Sequence, residues 1–89
     1  MGRHEAESAW SRKIRIARAV FDITSLELAD RCHAAPGGDI YAPSTWYLIL
    51  SMIGNGTLVP HPDGPLMRPL RYVIEDQVQK RRAAIKEEV

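Results

Sequence analysis

Residues 24–56 read TSLELADRCHAAPGGDIYAPSTWYLILSMIGNG, and this stretch decides the expected fold. Its first residues, Thr24 to Glu27, match a capping box, in which a threonine hydroxyl and a glutamate carboxylate bond each other's backbone amides. The pattern predicts a short helix from Thr24 to about His33. The proline and paired glycines of 34–39 then predict a turn, because they cannot sustain a helix.

A second helix is expected to follow this turn and to begin at Pro43 or Ser44, since proline suits a first helical turn and serine a cap. The glycines and asparagine of 54–56 accept the left-handed conformation that ends helices. The helical period divides its residues into two faces. The expected buried stripe is Trp46, Ile49, Leu50 and Ile53, which leaves Thr45, Tyr47, Leu48, Ser51 and Asn55 near the surface.

On the N-terminal side, residues 5–21 are typical of an amphipathic helix. Its apolar stripe is Trp10, Ile14, Ala17 and Phe21, and the cations Arg12, Lys13, Arg15 and Arg18 lie mostly off that stripe. Two interpretations of these cations stay open. They form a solvated basic face, or they contact phosphate groups.

On the C-terminal side, the sequence predicts a β-hairpin over 57–73. Thr57–Pro60 is the first expected strand, 61–65 the turn and Leu70–Val73 the return strand. A final helix is expected from about Ile74, with a stripe of Ile74, Val78, Ile85 and Val89. This stripe fits either packing within the chain or a dimer seam.

The composition indicates a single globular domain. The chain has 89 residues, of which 45% are hydrophobic and 26% charged, and it has one cysteine, Cys32. No apolar run approaches the length of a membrane span, and the first residues lack the apolar region of a signal peptide. These features favour a cytoplasmic protein without membrane contact.

The formal net charge is only +1, but the cations are unevenly distributed. Between Arg31 and Arg68 there is neither lysine nor arginine. The C-terminal cations are Arg68, Arg71, Lys80, Arg81, Arg82 and Lys86. Basic residues therefore flank an uncharged-to-acidic middle, and their contribution to binding a polyanion is expected to be modest.

No pattern in the sequence indicates an enzyme. Cys32, His33 and the distant His61 lack the spacing of a zinc site, so no metal ligand is expected. Glu75 and Asp76 are adjacent on a predicted helix and face different directions, which disfavours a paired acid and base. We therefore expect no catalytic residue and no cofactor.

The order of elements favours a winged helix-turn-helix, a mainly α fold with a small β-hairpin. Residues 1–22 supply an extra N-terminal helix, and residues 23–89 form the winged domain with a C-terminal helix. In this arrangement the second helix of the motif presents one face to the major groove of DNA, and the hairpin follows the backbone or the minor groove.

Three segments also resemble the phage excisionases and the MerR-type winged-helix proteins. Residues 23–29, ITSLELA, look like their opening helix, and residues 55–60, NGTLVP, look like the exit from their recognition helix. Residues 71–78, RYVIEDQV, look like their arginine-tyrosine wing strand and the start of the next helix.

The resemblance implies a non-catalytic, sequence-specific protein that binds double-stranded DNA, either a recombination directionality factor of a phage or prophage or a small transcription regulator. It implies that Arg68 and Arg71 contact DNA from the wing. The groove-facing helix would present Ser44, Thr45, Tyr47, Ser51 and, at its exit, Asn55. The implied partners are an integrase or other recombination and transcription proteins, with further copies of the chain as a homodimer or a cooperative multimer.

Two alternatives stay open. Residues 47–55 also look like the third helix of Cro/repressor-type proteins, including a mycobacterial EspR-like variant with a lengthened turn. That version is all-helical and uses its C-terminal helix for dimerisation, so an irregular linker at 57–73 favours it, whereas a hairpin favours the wing. The other alternative is an adaptor that binds a protein through the apolar middle helix, favoured by the absence of lysine and arginine over 32–67. For Tyr47 and Leu48 an interpretation without DNA also stays open, in which they pack against the N-terminal helix or a second subunit.

Overall fold

Four helical stretches dominate the chain in this computed structural model, which describes the backbone of residues 2–88 and the side chains of residues 9–86. Helix α1 spans Gly2–Phe21, α2 spans Ser25–Ala34 and α3 spans Pro43–Gly54, with a 3₁₀ turn at Gly38–Ile40 before α3. The fourth stretch, called the C-terminal rod, comprises α4 (Met67–Leu70), a π-helical segment (Arg71–Gln77) and α5 (Val78–Glu88). The mainly helical class is confirmed.

Helix α1 ends in a Schellman motif, a helix end at which the left-handed residue is usually a glycine. The amide of Ile23 donates to the carbonyl of Arg18 (3.1 Å), and the amide of Asp22 donates to that of Ala19 (3.3 Å). Asp22 takes the left-handed conformation (φ 55°), which aspartate tolerates better than most side chains. The chain therefore passes from α1 to α2 within a few residues.

The predicted capping box begins α2. The Glu27 amide donates to the Thr24 hydroxyl (3.2 Å), and the Thr24 amide donates to the Glu27 carboxylate (3.0 Å). The Thr24 hydroxyl also donates to this carboxylate (3.1 Å). The bond from the Thr24 amide first, and the bond from its hydroxyl second, lower the pKa of Glu27 below its ordinary value. Because the folded pKa is lowered, the cap stabilises α2 at neutral pH and weakens as the pH falls through that pKa.

The long turn between α2 and α3 is fixed by close contacts. Gly38 lies so near the end of α2 that an added Cβ would come within 1.7 Å of the carbonyl oxygen of Cys32. The indole N–H of Trp46 donates to the Gly38 carbonyl (2.6 Å), and Nδ1–H of His33 donates to the Tyr41 carbonyl (2.8 Å). The eight residues that connect the two helices, 35–42, are thus held against the helix ends by these contacts.

One core joins all four helical stretches. The predicted stripe of α1 contributes Ile14 and Ala17, and α3 contributes Trp46, which is fully buried. The other members of the buried cluster are Leu28, Ala29, Cys32, Ala35, Leu50, Ile53, Leu70, Val73, Ile74 and Val78. Helix α3 packs mainly on α2 and α1, so its opposite face is left exposed.

The structure does not support the predicted hairpin over 57–73, since residues 2–88 contain no strand. The amides of Thr57 and Leu58 both donate to the Met52 carbonyl, which folds the first expected strand back onto the end of α3. The prolines of the following loop carry no amide hydrogen for a ladder. Residues 70–73 are helical instead, because Leu70, Val73, Ile74 and Val78 bury a stripe of helical period.

The C-terminal stripe packs within the chain over its first half. Ile74 and Val78 are buried in the common core, whereas Ile85 is exposed and Val89 lies outside the described residues. The helix also begins earlier than expected, at Met67 rather than near Ile74. Across the described helices, none combines the length and the apolar character that a bilayer crossing requires.

Candidate nucleic-acid interface

The exposed face of α3 is a strip of uncharged side chains. Ser44, Leu48, Ser51 and Asn55 follow one another at three- and four-residue steps, so they share one line along the helix. Tyr47 and Met52 form the two edges of this strip, and all six side chains are exposed. We call these six residues the α3 strip.

The apolar members of the strip are covered only in part. Leu48 is 61% exposed, Met52 40% and Tyr47 38%. Most of the Leu48 side chain is therefore open to a partner. Thr45 is half-buried and lies outside the strip, so it differs from the two serines predicted to face DNA, Ser44 and Ser51, which are exposed.

Asn55 is held in a turn at the end of α3. Its side-chain oxygen Oδ1 accepts from the backbone amide of Thr57 (3.0 Å) and also from the Thr57 hydroxyl. An asparagine that reads adenine needs both its oxygen and its amino group, and here the oxygen is already engaged. Asn55 therefore stabilises the helix end more readily than it reads a base.

A cation of α1 lies beside the α3 strip. Arg18 lines the same hollow as Ser51 and Asn55, together with Ser25 at the start of α2. The hydroxyl of Ser11 donates to the carbonyl of Gly54 (2.8 Å), which fixes α1 against the end of α3. Arg15 shares a helical face with Ser11 and Arg18, so an exposed basic row borders the strip.

The other side of α1 is engaged with the C-terminal rod. The ammonium group of Lys13 lies 2.6 Å from a Glu75 carboxylate oxygen and 4.8 Å from the centre of the Trp10 ring. Lys13 is therefore separated from Arg15 and Arg18 by the rotation of the helix. The cations of α1, which the sequence alone treats as one group, therefore do not all share one environment.

The two arginines predicted on the wing lie elsewhere. Arg68 packs its side chain against the turn after α2, with Cδ at 3.4 Å from the position of a Cβ on Gly37. Arg71 lies 3.7 Å from Glu75, one turn further along the rod. Both line a hollow formed with residues of the turn and the rod, and no member of the α3 strip lines it.

Charge is absent from the middle of the chain over a long stretch. Between Asp39 and Asp63 no side chain is Asp, Glu, Lys or Arg. The cap of α2 carries one carboxylate, Glu27, whose pKa is lowered by its hydrogen bonds to Thr24. The basic row of α1 must therefore supply the attraction to any polyanion at this face.

The cysteine and the two histidines that were considered as metal ligands are buried or hydrogen-bonded within the chain. Cys32 is buried, and burial raises the pKa of its thiol to about 12, which removes the thiolate needed by a nucleophile or metal ligand. His33 is bonded to the Tyr41 carbonyl, and Nδ1 of His61 accepts from the Asp63 amide (3.1 Å). Among the described residues, no three groups of metal-ligating type come together.

Compared with protein-family models, curated proteins and solved structures, the chain matches none of them. The function must therefore be argued from the geometry of its own residues.

Proposed function

We propose that the chain is a non-catalytic protein that binds double-stranded DNA through the α3 strip, in an all-helical arrangement of the Cro/repressor type. One observation carries this proposal. The exposed, uncharged α3 strip lies beside Arg18 of α1, which lines a hollow together with Ser51 and Asn55.

The dimensions of α3 suit the major groove. The helix has 12 residues, and the α3 strip is exposed from Ser44 to Asn55. A helix with its side chains is about 10–12 Å wide, which is close to the width of about 12 Å of the major groove. Helices α1 and α2 support α3 from behind, so it can enter the groove as a rigid element.

The charges favour a contact in which α1 holds the phosphate backbone and α3 meets the bases. Arg18 borders the C-terminal half of the strip, and Arg15 extends the basic row. Arginine forms bidentate bonds with phosphate oxygens, and such contacts position a protein without reading sequence. The strip carries no acidic side chain that a phosphate-lined groove would repel.

The linker after α3 favours the repressor-type alternative over the winged one. Residues 55–66 are irregular, and the rod that follows is helical. A role in recombination with an integrase and a role in transcription are both compatible with this arrangement, as are a homodimer and a cooperative multimer. The recombination role loses its main support, since it came from the resemblance to winged proteins.

The proposal predicts that Arg18→Ala weakens binding to duplex DNA about tenfold at low salt, because a charged hydrogen bond to phosphate is lost. The slope of log affinity against log salt concentration should fall by about one. Fluorescence anisotropy with a labelled mixed-sequence duplex measures both quantities.

Arg71→Ala is the matched control, since it removes the same side chain from the rod. Its affinity should stay within roughly twofold of the unchanged chain, because exposed charges away from the contact are screened. If Arg71→Ala weakens binding and Arg18→Ala does not, the contact lies on the rod, and the α3 strip is not the interface.

A second candidate function is supported by the apolar part of the strip. Leu48 and Met52 are adjacent on the helix and exposed, as in an adaptor that docks a protein. The salt dependence separates the two functions. A DNA-binding protein loses affinity steadily as salt rises, whereas an adaptor shows no binding to duplex DNA even at low salt.

A further inference from the structure

We infer that the α3 strip recognises A·T base pairs through the methyl group of thymine, with Leu48 as the principal reading residue and Met52 beside it. This inference rests on the proposed binding of DNA and specifies what the strip reads.

The strip lacks the groups that read guanine. Guanine is most often recognised by arginine or lysine, which bond its O6 and N7 atoms, and α3 contains neither residue. Asn55 is also not available for a bidentate contact with adenine, because its Oδ1 already accepts hydrogen bonds from Thr57. Hydroxyl groups remain at Ser44 and Ser51, and these bond donors and acceptors of either kind.

The apolar side chain at the centre of the strip is the distinctive feature. Leu48 lies between Ser44 and Ser51 and is the most exposed of the three apolar residues of the α3 strip. Along the major groove, the thymine methyl is the one apolar group that a base edge presents. An apolar side chain in the groove therefore gains binding free energy from apolar contact at thymine and none from such contact at the other bases.

The positive charges beside the α3 strip and the lack of negative charges on it favour DNA as its partner. The exposed basic row of α1 borders the strip, and no acidic residue occurs between Asp39 and Asp63. Serines alternate with the apolar residues, so the face combines hydrogen-bonding groups with apolar contact. That mixture complements base edges, where methyl groups alternate with donors and acceptors.

The test uses two duplexes of the same A·T-rich sequence, roughly 20 base pairs or two helical turns long. One contains thymidine and the other deoxyuridine, which lacks only the methyl group. Affinity for the thymidine duplex should be about fourfold higher for each methyl group contacted, the ratio expected for burying one such group. Leu48→Ala should bring the ratio of the two affinities close to one, whereas Ser44→Ala should leave it unchanged.

Each other outcome overturns the inference in a distinguishable way. Equal, salt-dependent affinity for both duplexes removes methyl reading and leaves the DNA-binding function intact. A ratio that persists in both Leu48→Ala and Met52→Ala assigns the preference to DNA shape. Absence of binding to either duplex overturns the proposed function as well. If sedimentation shows a dimer that Leu48→Asp converts to a monomer, the strip belongs to a second copy of the chain.

Discussion

Replacing Gly38 by alanine is expected to destabilise the folded chain by on the order of 3 kcal/mol, because the new methyl group meets backbone rather than a flexible side chain. The added Cβ would lie 1.7 Å from the Cys32 carbonyl oxygen and 2.8 Å from its carbon. Relief requires the end of α2 and the 3₁₀ turn to separate. Thermal unfolding followed by circular dichroism should show a midpoint lowered by on the order of 15 °C.

Gly54→Ala is the matched control for that substitution. No atom lies within 4 Å of a Cβ at Gly54, which ends α3. Alanine favours the helix over glycine, so this variant should be unchanged or more stable by roughly 0.5–1 kcal/mol. A Gly38→Ala variant as stable as Gly54→Ala would contradict the close approach of the turn to α2.

Trp46→Ala is expected to cost about 3–5 kcal/mol, since the ring is fully buried at the centre of the core. The ring packs edge-on against Tyr41, with 5.8 Å between ring centres, and its N–H satisfies the Gly38 carbonyl. Truncation therefore leaves a cavity and an unpaired carbonyl together. Urea unfolding measures the free energy of unfolding. Circular dichroism is the suitable signal because it follows the loss of helix and does not depend on the fluorescence of Trp10.

Trp46→Phe separates the two causes. Phenylalanine keeps an aromatic ring in the core and removes only the donor and part of the volume. Its loss of stability should be clearly smaller than that of alanine. A loss below about 1 kcal/mol for Trp46→Ala would mean that the ring is not a central part of the core.

Local sequence signals predict the first three helices well. The capping box at Thr24 and Glu27, the proline at the start of α3 and its stop after Ile53 act within a few residues of each other. The helical spacing of Trp46, Ile49, Leu50 and Ile53 likewise predicts which face is buried. Trp46, Leu50 and Ile53 are buried, and Ile49 is half-buried. Such features are visible because neighbouring residues alone determine them.

The hairpin shows where local signals fail. Residues 57–60 and 70–73 contain β-branched and aromatic residues that suit a strand, yet Leu70, Val73, Ile74 and Val78 also fit a helical stripe. Short apolar segments are ambiguous in this way, and the tertiary core decides between the two. The π-helical segment at Arg71–Gln77 has no sequence signal that we can identify.

The arrangement of the candidate site depends on tertiary packing more than the positions of the helices do. Ser44, Tyr47 and Ser51 are exposed on α3, as the helical period predicts, whereas Thr45 is partly covered. The association of Arg18 with Ser51 could not be read from the sequence, because it depends on how α1 crosses the end of α3. The placement of Arg68 and Arg71 followed from the expected wing, so it changes with the helical form of residues 67–77.

The most direct test of the central claim is a map of backbone amide chemical shifts in the full chain as duplex DNA is added. If α3 enters the major groove and α1 holds the phosphates, the largest changes should fall at residues 44–55 and at 11–18. Residues 67–86 of the rod should change little. The largest changes along the rod, with α3 unaffected, would contradict the assignment of the α3 strip as the DNA interface.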